Sequence, residues 1–216
     1  KYGITRQQVD AYSLQSQTRF KHALAANKFA DQICPVKIES KKVTLEITKD
    51  EHPKPDVGMD KLQAMKSIFK KDGLVTAATA SGIVDGAAMS LLTSEEKAKS
   101  LGLKPLARIV SYASVGCDPK IMGIGPAESS RSALRKANLS LDQMDLVEVN
   151  EAFAAQYLAV QKELELNPAK SNVNGGAIAV GHPLAASGTR IMNHLVYELQ
   201  RRQGRYALGS ACIGGG

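Results

Sequence analysis

Residues 172–190 constrain this chain more than any other stretch, reading Asn-Val-Asn-Gly-Gly-Ala-Ile-Ala-Val-Gly-His-Pro-Leu-Ala-Ala-Ser-Gly-Thr-Arg. A short strand signal at 171–174 runs into Gly175 and Gly176, small residues follow, and Gly181-His182-Pro183 precedes a helix start at Ser187. Glycines at 175, 176 and 181 leave room for a ligand or a second backbone to come close. Pro183 stiffens the turn beside His182. Ser187 suits an N-cap, and Ile191, Met192, Leu195 and Leu199 recur at helical spacing until Gly204 stops the helix after Arg201 and Arg202. His182 is therefore expected on a constrained, nearly side-chain-free turn where a helix begins. That placement suits an imidazole working beside a bulky anionic substrate. Taken alone, a histidine among glycines is more often structural than catalytic, so its company has to decide.

The rest of the chain supplies strands and helices in alternation. Thr5 and Gln8 form a capping box for a helix carrying Val9, Tyr12, Phe20, Ala23 and Leu24 on one side. Residues 34–38 and 43–47 read as short strands, with Val43, Leu45 and Ile47 alternating with Thr44 and Glu46. A polar loop at 49–58 holds two prolines. Residues 60–71 read as an amphipathic helix with Leu62, Met65, Ile68 and Phe69 apolar, ended by Gly73. The small-residue run 74–86 reads as a loop feeding a buried strand through Leu92. Thr93 and Glu96 cap a short helix that Gly102 ends, and 106–112 reads as another strand. Then come a helix at 126–137, a strand at 146–149, a helix at 152–164, a strand near Val173, a helix at 188–202 and a strand at 206–212. Such alternation predicts an α/β layer structure.

Three short motifs fall where strands hand over to helices or loops: Asn150-Glu151-Ala152-Phe153, Gly181-His182-Pro183, and Cys212-Ile213-Gly214-Gly215-Gly216. They are about thirty residues apart, one strand–helix unit each, and in an α/β sheet ligands bind at the carboxyl ends of strands. The spacing can deliver an amide, an imidazole and a thiol to one sheet edge. Such a trio supports making or breaking a carbon–carbon bond next to a thioester. His182 can take a proton from a thiol or donate to a developing oxyanion, Asn150 can hold a water that completes that oxyanion site, Cys212 can move a proton at a substrate α-carbon, and the Gly214 N–H can face a second oxyanion. Singly, Cys212 also fits a small buried apolar residue, and Asn150 a helix N-cap.

Charge and cysteines narrow the alternatives. The formal net charge is +7, but the basic residues are scattered among acids and aromatics are few, so attraction for an anionic substrate fits better than a nucleic-acid surface. The three cysteines, Cys34, Cys117 and Cys212, are odd in number and widely spaced, which argues against a disulfide framework and for a reducing compartment. None has metal-ligand spacing with a histidine, so no metal site is expected. No apolar run is long enough to span a membrane. The chain opens at Lys1-Tyr2-Gly3 without a signal or transit pattern and closes on the triple glycine; both ends read as cut.

Together these motifs resemble the thiolase family of 3-ketoacyl-CoA and acetoacetyl-CoA thiolases. Residues 172–190 are similar to that family's Asn-x-x-Gly-Gly-Ala-Ile-Ala-x-Gly-His-Pro-x-Gly-x-Ser-Gly-x-Arg, with Ala185 where the family has Gly. Asn-Glu-Ala-Phe and Cys-x-Gly match in order and spacing, as do 76–86 and Asp118-Pro119-Lys120-Ile121-Met122-Gly123-Ile124-Gly125-Pro126. β-Ketoacyl synthases, with two histidines, and the sterol-carrier branch, with His-Asp-Cys-Phe, fit less well. The wording around 147–150 and 209–216 looks most like the mitochondrial degradative branch.

The resemblance implies a layered αβαβα thiolase fold, with 1–83 as part of a loop domain covering CoA, 84–105 as the end of an N-terminal core domain, and 106–216 as a C-terminal core domain lacking its last strand. It implies acyl transfer from a 3-ketoacyl-CoA to CoA with release of acetyl-CoA, as in fatty acid β-oxidation. CoA and acyl-CoA would be substrates rather than resident cofactors. A homo-oligomer, dimer or tetramer, is implied, in the mitochondrial matrix or else the peroxisome. By resemblance His182, Cys212, Asn150 and Gly214 are catalytic, and Ser81 contacts the pantetheine arm. Phe69, Ala77, Ala80, Ile83, Met122 and Phe153 would wall its tunnel, with Lys54 of Glu-His-Pro-Lys-Pro against the adenine end. Val84 replaces a frequent Asn, which removes a peripheral hydrogen bond. The family's acyl-accepting Cys, in a Cys-Gly-Ser-Gly-like context, does not occur in these residues. The alternative expectation is therefore a non-catalytic CoA-binding or assembly module, separable from the enzyme by intact mass of the native protein.

Overall fold

The computed structural model describes residues 1–40 and 43–214. Its centre is a parallel strand pair, β3 (Leu146–Val149) and β4 (Ala207–Ser210), in register from Leu146↔Ala207 to Val149↔Ser210. All four β3 residues are buried, so each face of the strand meets a different layer. Val147 and Val149 pack into a cluster with Val9 and Tyr12 of α1 (Arg6–Ala25), Ala127 and Leu134 of α4 (Gly125–Ala137), and Tyr157 and Val160 of α5 (Ala154–Leu164). Leu146 faces the other way, onto Ile191 and Leu195 of α7 (Ser187–Arg201). On that same face Glu148 pairs with Arg190 and is buried there. The result is the layered α/β arrangement that the alternation predicts.

The remaining elements are small. β1 (Val36–Glu39) and β2 (Thr44–Ile47) form an antiparallel hairpin, α2 spans Met59–Gln63, α3 spans Glu95–Ser100, and α6 is the single turn Ala177–Val180 before Gly181. A 3₁₀ segment at Pro119–Ile124 leads into α4. Among the described residues no helix is long and apolar enough to cross a membrane.

Several sequence expectations need correction. The helix at 60–71 is only α2, because Arg6 Nη2 donates to the carbonyls of Leu62 (2.7 Å) and Met65 (3.0 Å) and the Ile68 N–H turns to Val75 O. The buried strand through Leu92 is absent: Met89, Leu91 and Leu92 are exposed, and only an isolated bridge, Ile83 to His182, marks that stretch. Residues 106–112 likewise form no strand and leave Leu106, Ile109, Val110 and Tyr112 exposed. Apolar, β-prone residues become a strand only when a neighbour completes the hydrogen-bond ladder, and no described segment does so for these two runs. The strand near Val173 shrinks to isolated bridges, Val147–Ser171 and Val173–Gly175. Leu24 is exposed, and the hairpin alternation buries neither face. Ser94, not Thr93, caps α3 through the Lys97 N–H, and Ser187 is the first residue of α7 rather than its N-cap. Turn α6 has no counterpart in the sequence reading.

Where a third strand would continue the sheet, the side chain of Asn172 substitutes for backbone. Its Oδ1 accepts from Val149 N–H (2.9 Å) and its Nδ2 donates to Val149 O (2.8 Å). Asn172 holds a left-handed φ of 45°, which asparagine tolerates better than most residues. Asn172→Ala leaves both Val149 groups buried and unpaired. It should destabilise the protein by about 1–3 kcal/mol in urea titration, and an unchanged midpoint would contradict this account.

Candidate active site

Asn150 and Cys212 leave the carboxyl ends of β3 and β4 side by side. The Asn150 N–H donates to Ser210 O at 2.9 Å, extending the ladder by one residue before the chains part. His182 reaches the same edge from the turn after α6. Gly181 has φ 91°, and a Cβ there would lie 2.7 Å from the methyls of Val84, so this turn requires glycine. The His182 N–H donates to Gly82 O at 2.8 Å, pinning the turn to 79–84. That segment also runs along 152–154: Ser81 N–H and Oγ both donate to Ala152 O, Ala154 N–H donates to Thr79 O, and Ala80 bridges to Phe153.

The imidazole is held at both nitrogens. Nε2 lies 3.4 Å from Asn150 Nδ2, and Nδ1 lies 2.6 Å from Ser187 Oγ. Burial, then the Arg190 charge, lowers the His182 pKa below its ordinary range, which favours the neutral base. Asn150 is fully buried and its Oδ1 has no partner among the described residues, so an unused acceptor sits beside the imidazole. Burial pushes the Cys212 thiol up, so it rests protonated. Beyond it, a Cβ on Gly214 would meet Met122 Sδ at 3.8 Å, which places the 3₁₀ segment on the thiol side of the site. Gly215 and Gly216 lie outside the described residues.

Of the residues expected to line a CoA tunnel, the structure joins Ala80, Ser81, Ile83 and Phe153 to the His182 turn through backbone pairing, and Met122 to the Cys212 loop. Phe69 is 77 % exposed, and Ala77, Lys54 and the Ile83 side chain are exposed as well. Ala185 is exposed, and Val84 packs its methyls on Gly181. Among the described residues no cluster of His, Cys, Asp or Glu has metal-binding geometry.

Glu151 is the residue that the sequence reading passed over. Its carboxylate is completely buried and accepts from Tyr12 Oη (2.6 Å), Ser16 Oγ (2.8 Å), Asn172 Nδ2 (3.0 Å) and Ile178 N–H (3.0 Å). Four donors from α1, 172 and α6 thus converge on the residue next to Asn150. The carboxylate lies so close to Gly176 that a Cβ there would meet Glu151 Oε1 at 2.6 Å. Tyr12, stacked on Tyr157 with ring centroids 4.2 Å apart, has its pKa raised well above the usual value, mainly by burial. The available signal was Tyr12 and Ser16, four apart on one helix face, together with glycine at 176. His52 was also missed: its ring fills the space over Gly82, the residue that anchors His182, so Gly82 has no room for a side chain.

Family models for the thiolase N-terminal and C-terminal domains match residues 1–96 and 103–216. The chain belongs to the thiolase family. It is 54 % identical over 216 residues to the mitochondrial 3-ketoacyl-CoA thiolase of Mus musculus, covering 100 % of this chain and 54 % of that protein. It is 54 % identical over 217 residues to the acetyl-CoA acetyltransferase of Chromobacterium violaceum, covering 55 % of it. Among solved structures it superposes on the Bacillus anthracis acetyl-CoA acetyltransferase with a TM-score of 0.97 at 50 % identity, over 100 % of this chain and 55 % of that one. It superposes on the human mitochondrial 3-ketoacyl-CoA thiolase in complex with CoA with a TM-score of 0.89 at 52 % identity, over 99 % and 53 %. The fold is the thiolase fold, and the chain spans about half the length of the curated relatives it matches.

Glu151→Gln tests the buried hub. An amide keeps the size but turns one acceptor into a donor facing hydroxyl and N–H donors. The expected cost is about 1–3 kcal/mol in denaturant unfolding, larger than for the same change at the exposed Glu165. Equal costs at the two positions would remove Glu151 as the organising contact.

Proposed function

We propose that the protein carrying this chain is a 3-ketoacyl-CoA thiolase, transferring the acyl group of a 3-ketoacyl-CoA to CoA and releasing acetyl-CoA. The observation that supports this reading most is a neutral-leaning imidazole 3.4 Å from an amide with a free buried acceptor, at the end of β3, with a protonated thiol two residues past the end of the adjacent strand β4. In this reading His182 takes the proton of the acyl-accepting cysteine, which these residues do not include. The thiolate attacks the 3-keto carbon, and the bond between C2 and C3 breaks. Cys212 then delivers its proton to C2 of the leaving acetyl-CoA and afterwards takes one from the incoming CoA thiol, whose sulfur attacks the acyl carbon; the acyl–cysteine bond breaks, and the released cysteine thiolate recovers its proton from His182. A water on Asn150 with His182 faces one oxyanion, and the Gly214 N–H faces the other.

Residues 1–83 would be the part of a loop domain that covers CoA, with Ser81, Phe69, Ala77, Ala80, Ile83, Met122 and Phe153 along the pantetheine arm and Lys54 near the adenine. Residues 84–105 would belong to an N-terminal core domain and 106–216 to a C-terminal one. Relatives named as mitochondrial 3-ketoacyl-CoA thiolases support a mitochondrial location; the reading also assigns the protein to the matrix, to β-oxidation and to a homo-oligomer, dimer or tetramer. Relatives named acetyl-CoA acetyltransferases support a second substrate choice, acetoacetyl-CoA. Turnover of four-carbon against longer 3-ketoacyl-CoA substrates separates the two.

Thiolysis by the full-length protein should fall about 10²–10⁴-fold in His182→Ala while the fold persists; more than half of normal turnover would end its role as base. In Cys212→Ser, acyl transfer onto the nucleophile should remain while deuterium wash-out from labelled acetyl-CoA is lost, since a hydroxyl holds its proton far more tightly than a thiol. Wash-out at the normal rate would assign the proton transfer elsewhere.

The pH dependence has a definite sign. The base form of His182 is the active one, and its pKa lies below the ordinary 6.5, so the acid limb of kcat/KM should have its midpoint below pH 6.5. The folded state also binds fewer protons there than the unfolded chain, so this group's contribution makes stability decline as pH falls below 6.5. A limb centred above that value would contradict the assignment.

A further inference from the structure

We propose that Ser187 is a positioning residue that sets the tautomer of His182, keeping the ring proton on Nδ1 and leaving Nε2 as the unprotonated nitrogen that faces Asn150. The inference rests on the reading of His182 as the base and adds the device that prepares it. Ser187 is buried, at 2 % exposure, on the first turn of α7. Its Oγ stands 3.1 Å from Pro183 O, four residues back, and 2.6 Å from His182 Nδ1. A hydroxyl has one proton. In a helix a serine hydroxyl commonly gives that proton to the carbonyl four residues earlier, alongside the backbone N–H already bound there. Here the Ala186 and Ser187 N–H groups occupy that same carbonyl.

With the hydroxyl proton on Pro183 O, Oγ offers only lone pairs to the ring, so Nδ1 has to be the protonated nitrogen. Nε2 is then an acceptor, and the group facing it is the amide nitrogen of Asn150 at 3.4 Å. The chain Asn150 N–H to Nε2, Nδ1–H to Ser187 Oγ, Ser187 O–H to Pro183 O has a donor and an acceptor at every step. The opposite tautomer sets the Ser187 oxygen against the Pro183 oxygen at 3.1 Å with no proton between them. It also requires Asn150 to turn its amide around. Pro183, two positions after the glycine of the turn, supplies the carbonyl, which gives the Gly-His-Pro and Ser-Gly parts of the motif one shared hydrogen-bond path.

The test reads the proton directly. The full protein carrying this chain is prepared with isotope-labelled histidine, the His182 signal is assigned by its loss in His182→Ala, and the tautomer is read by solid-state NMR above neutral pH. The wild type should show a protonated Nδ1 and a bare Nε2, Ser187→Thr should keep that pattern because the hydroxyl remains, and Ser187→Ala should move the proton to Nε2 in most molecules. Thiolysis should follow: kcat of Ser187→Ala should drop roughly ten- to a hundredfold, taking the range found when the hydrogen-bond partner that orients a metal-ligating imidazole is removed, with KM for CoA nearly unchanged and Ser187→Thr close to wild type. A protonated Nε2 in the wild type, or an Nδ1–H that survives Ser187→Ala, overturns the proposal. If Ser187→Ala does not fold, the tautomer of the wild type alone decides it. A wild type without thiolysis but with Nδ1–H would sink the proposed activity and leave this inference standing; thiolysis with Nε2–H would do the reverse.

Discussion

The buried Glu151 carboxylate is the contact on which the site depends. A charge taken out of water is tolerated only when its lone pairs are matched, and here a tyrosine, a serine, an asparagine and a backbone N–H do so from three separate parts of the chain. Each donor is fixed by something else as well. Tyr12 stacks on Tyr157, Ser16 accepts from the Gly176 N–H, Asn172 closes the end of β3, and Ile178 belongs to the turn that delivers His182. The position of Asn150, one residue away, is therefore determined by α1 and α6 as much as by its own strand. Each carboxylate oxygen takes two of these donors, Oε1 from Tyr12 and Asn172 and Oε2 from Ser16 and Ile178, so removing one leaves a buried lone pair unmatched beside a partner still in place.

The layer order was legible because α4 and α7 carry clear amphipathic patterns and strands β3 and β4 are set off between helices in the sequence. The capping box at Thr5 and Gln8 marked the start of α1 to the residue. Segments whose structure depends on a partner were not legible in the same way. Apolar runs at 84–92 and 106–112 have strand composition, yet a strand is a property of a pair, and the described residues offer no second member. The 60–71 helix failed for a related reason: its pattern is helical, but Arg6, more than fifty positions earlier, takes the carbonyls that a continuing helix would use.

At the site, Asn150, His182 and Cys212 stood out because each sits beside glycines or at a strand end, features that leave traces in the sequence. The second layer left fainter ones. Glu151 resembles any acid after a strand, His52 sits in a polar loop, and Ser187 reads as an ordinary N-cap. Their roles come from approach distances: a ring over Gly82, a carboxylate over Gly176, a hydroxyl beside an imidazole. The residues offered for the pantetheine tunnel divide in the same way, with Ser81, Ala80 and Phe153 tied into the site by backbone pairing and Phe69, Ala77 and Lys54 exposed, without such pairing in the structure.

Helix α7 brings one more effect to the imidazole through its direction. Its fifteen residues run away from His182, so the positive end of its aligned peptide dipoles lies on the histidine side. That field acts in the same sense as burial and Arg190: it disfavours a second proton on the ring and lowers the energy of negative charge that develops nearby. The helix that Ser187 begins is thus a standing electric field across the cleft, present before any substrate arrives and requiring no rearrangement when charge shifts.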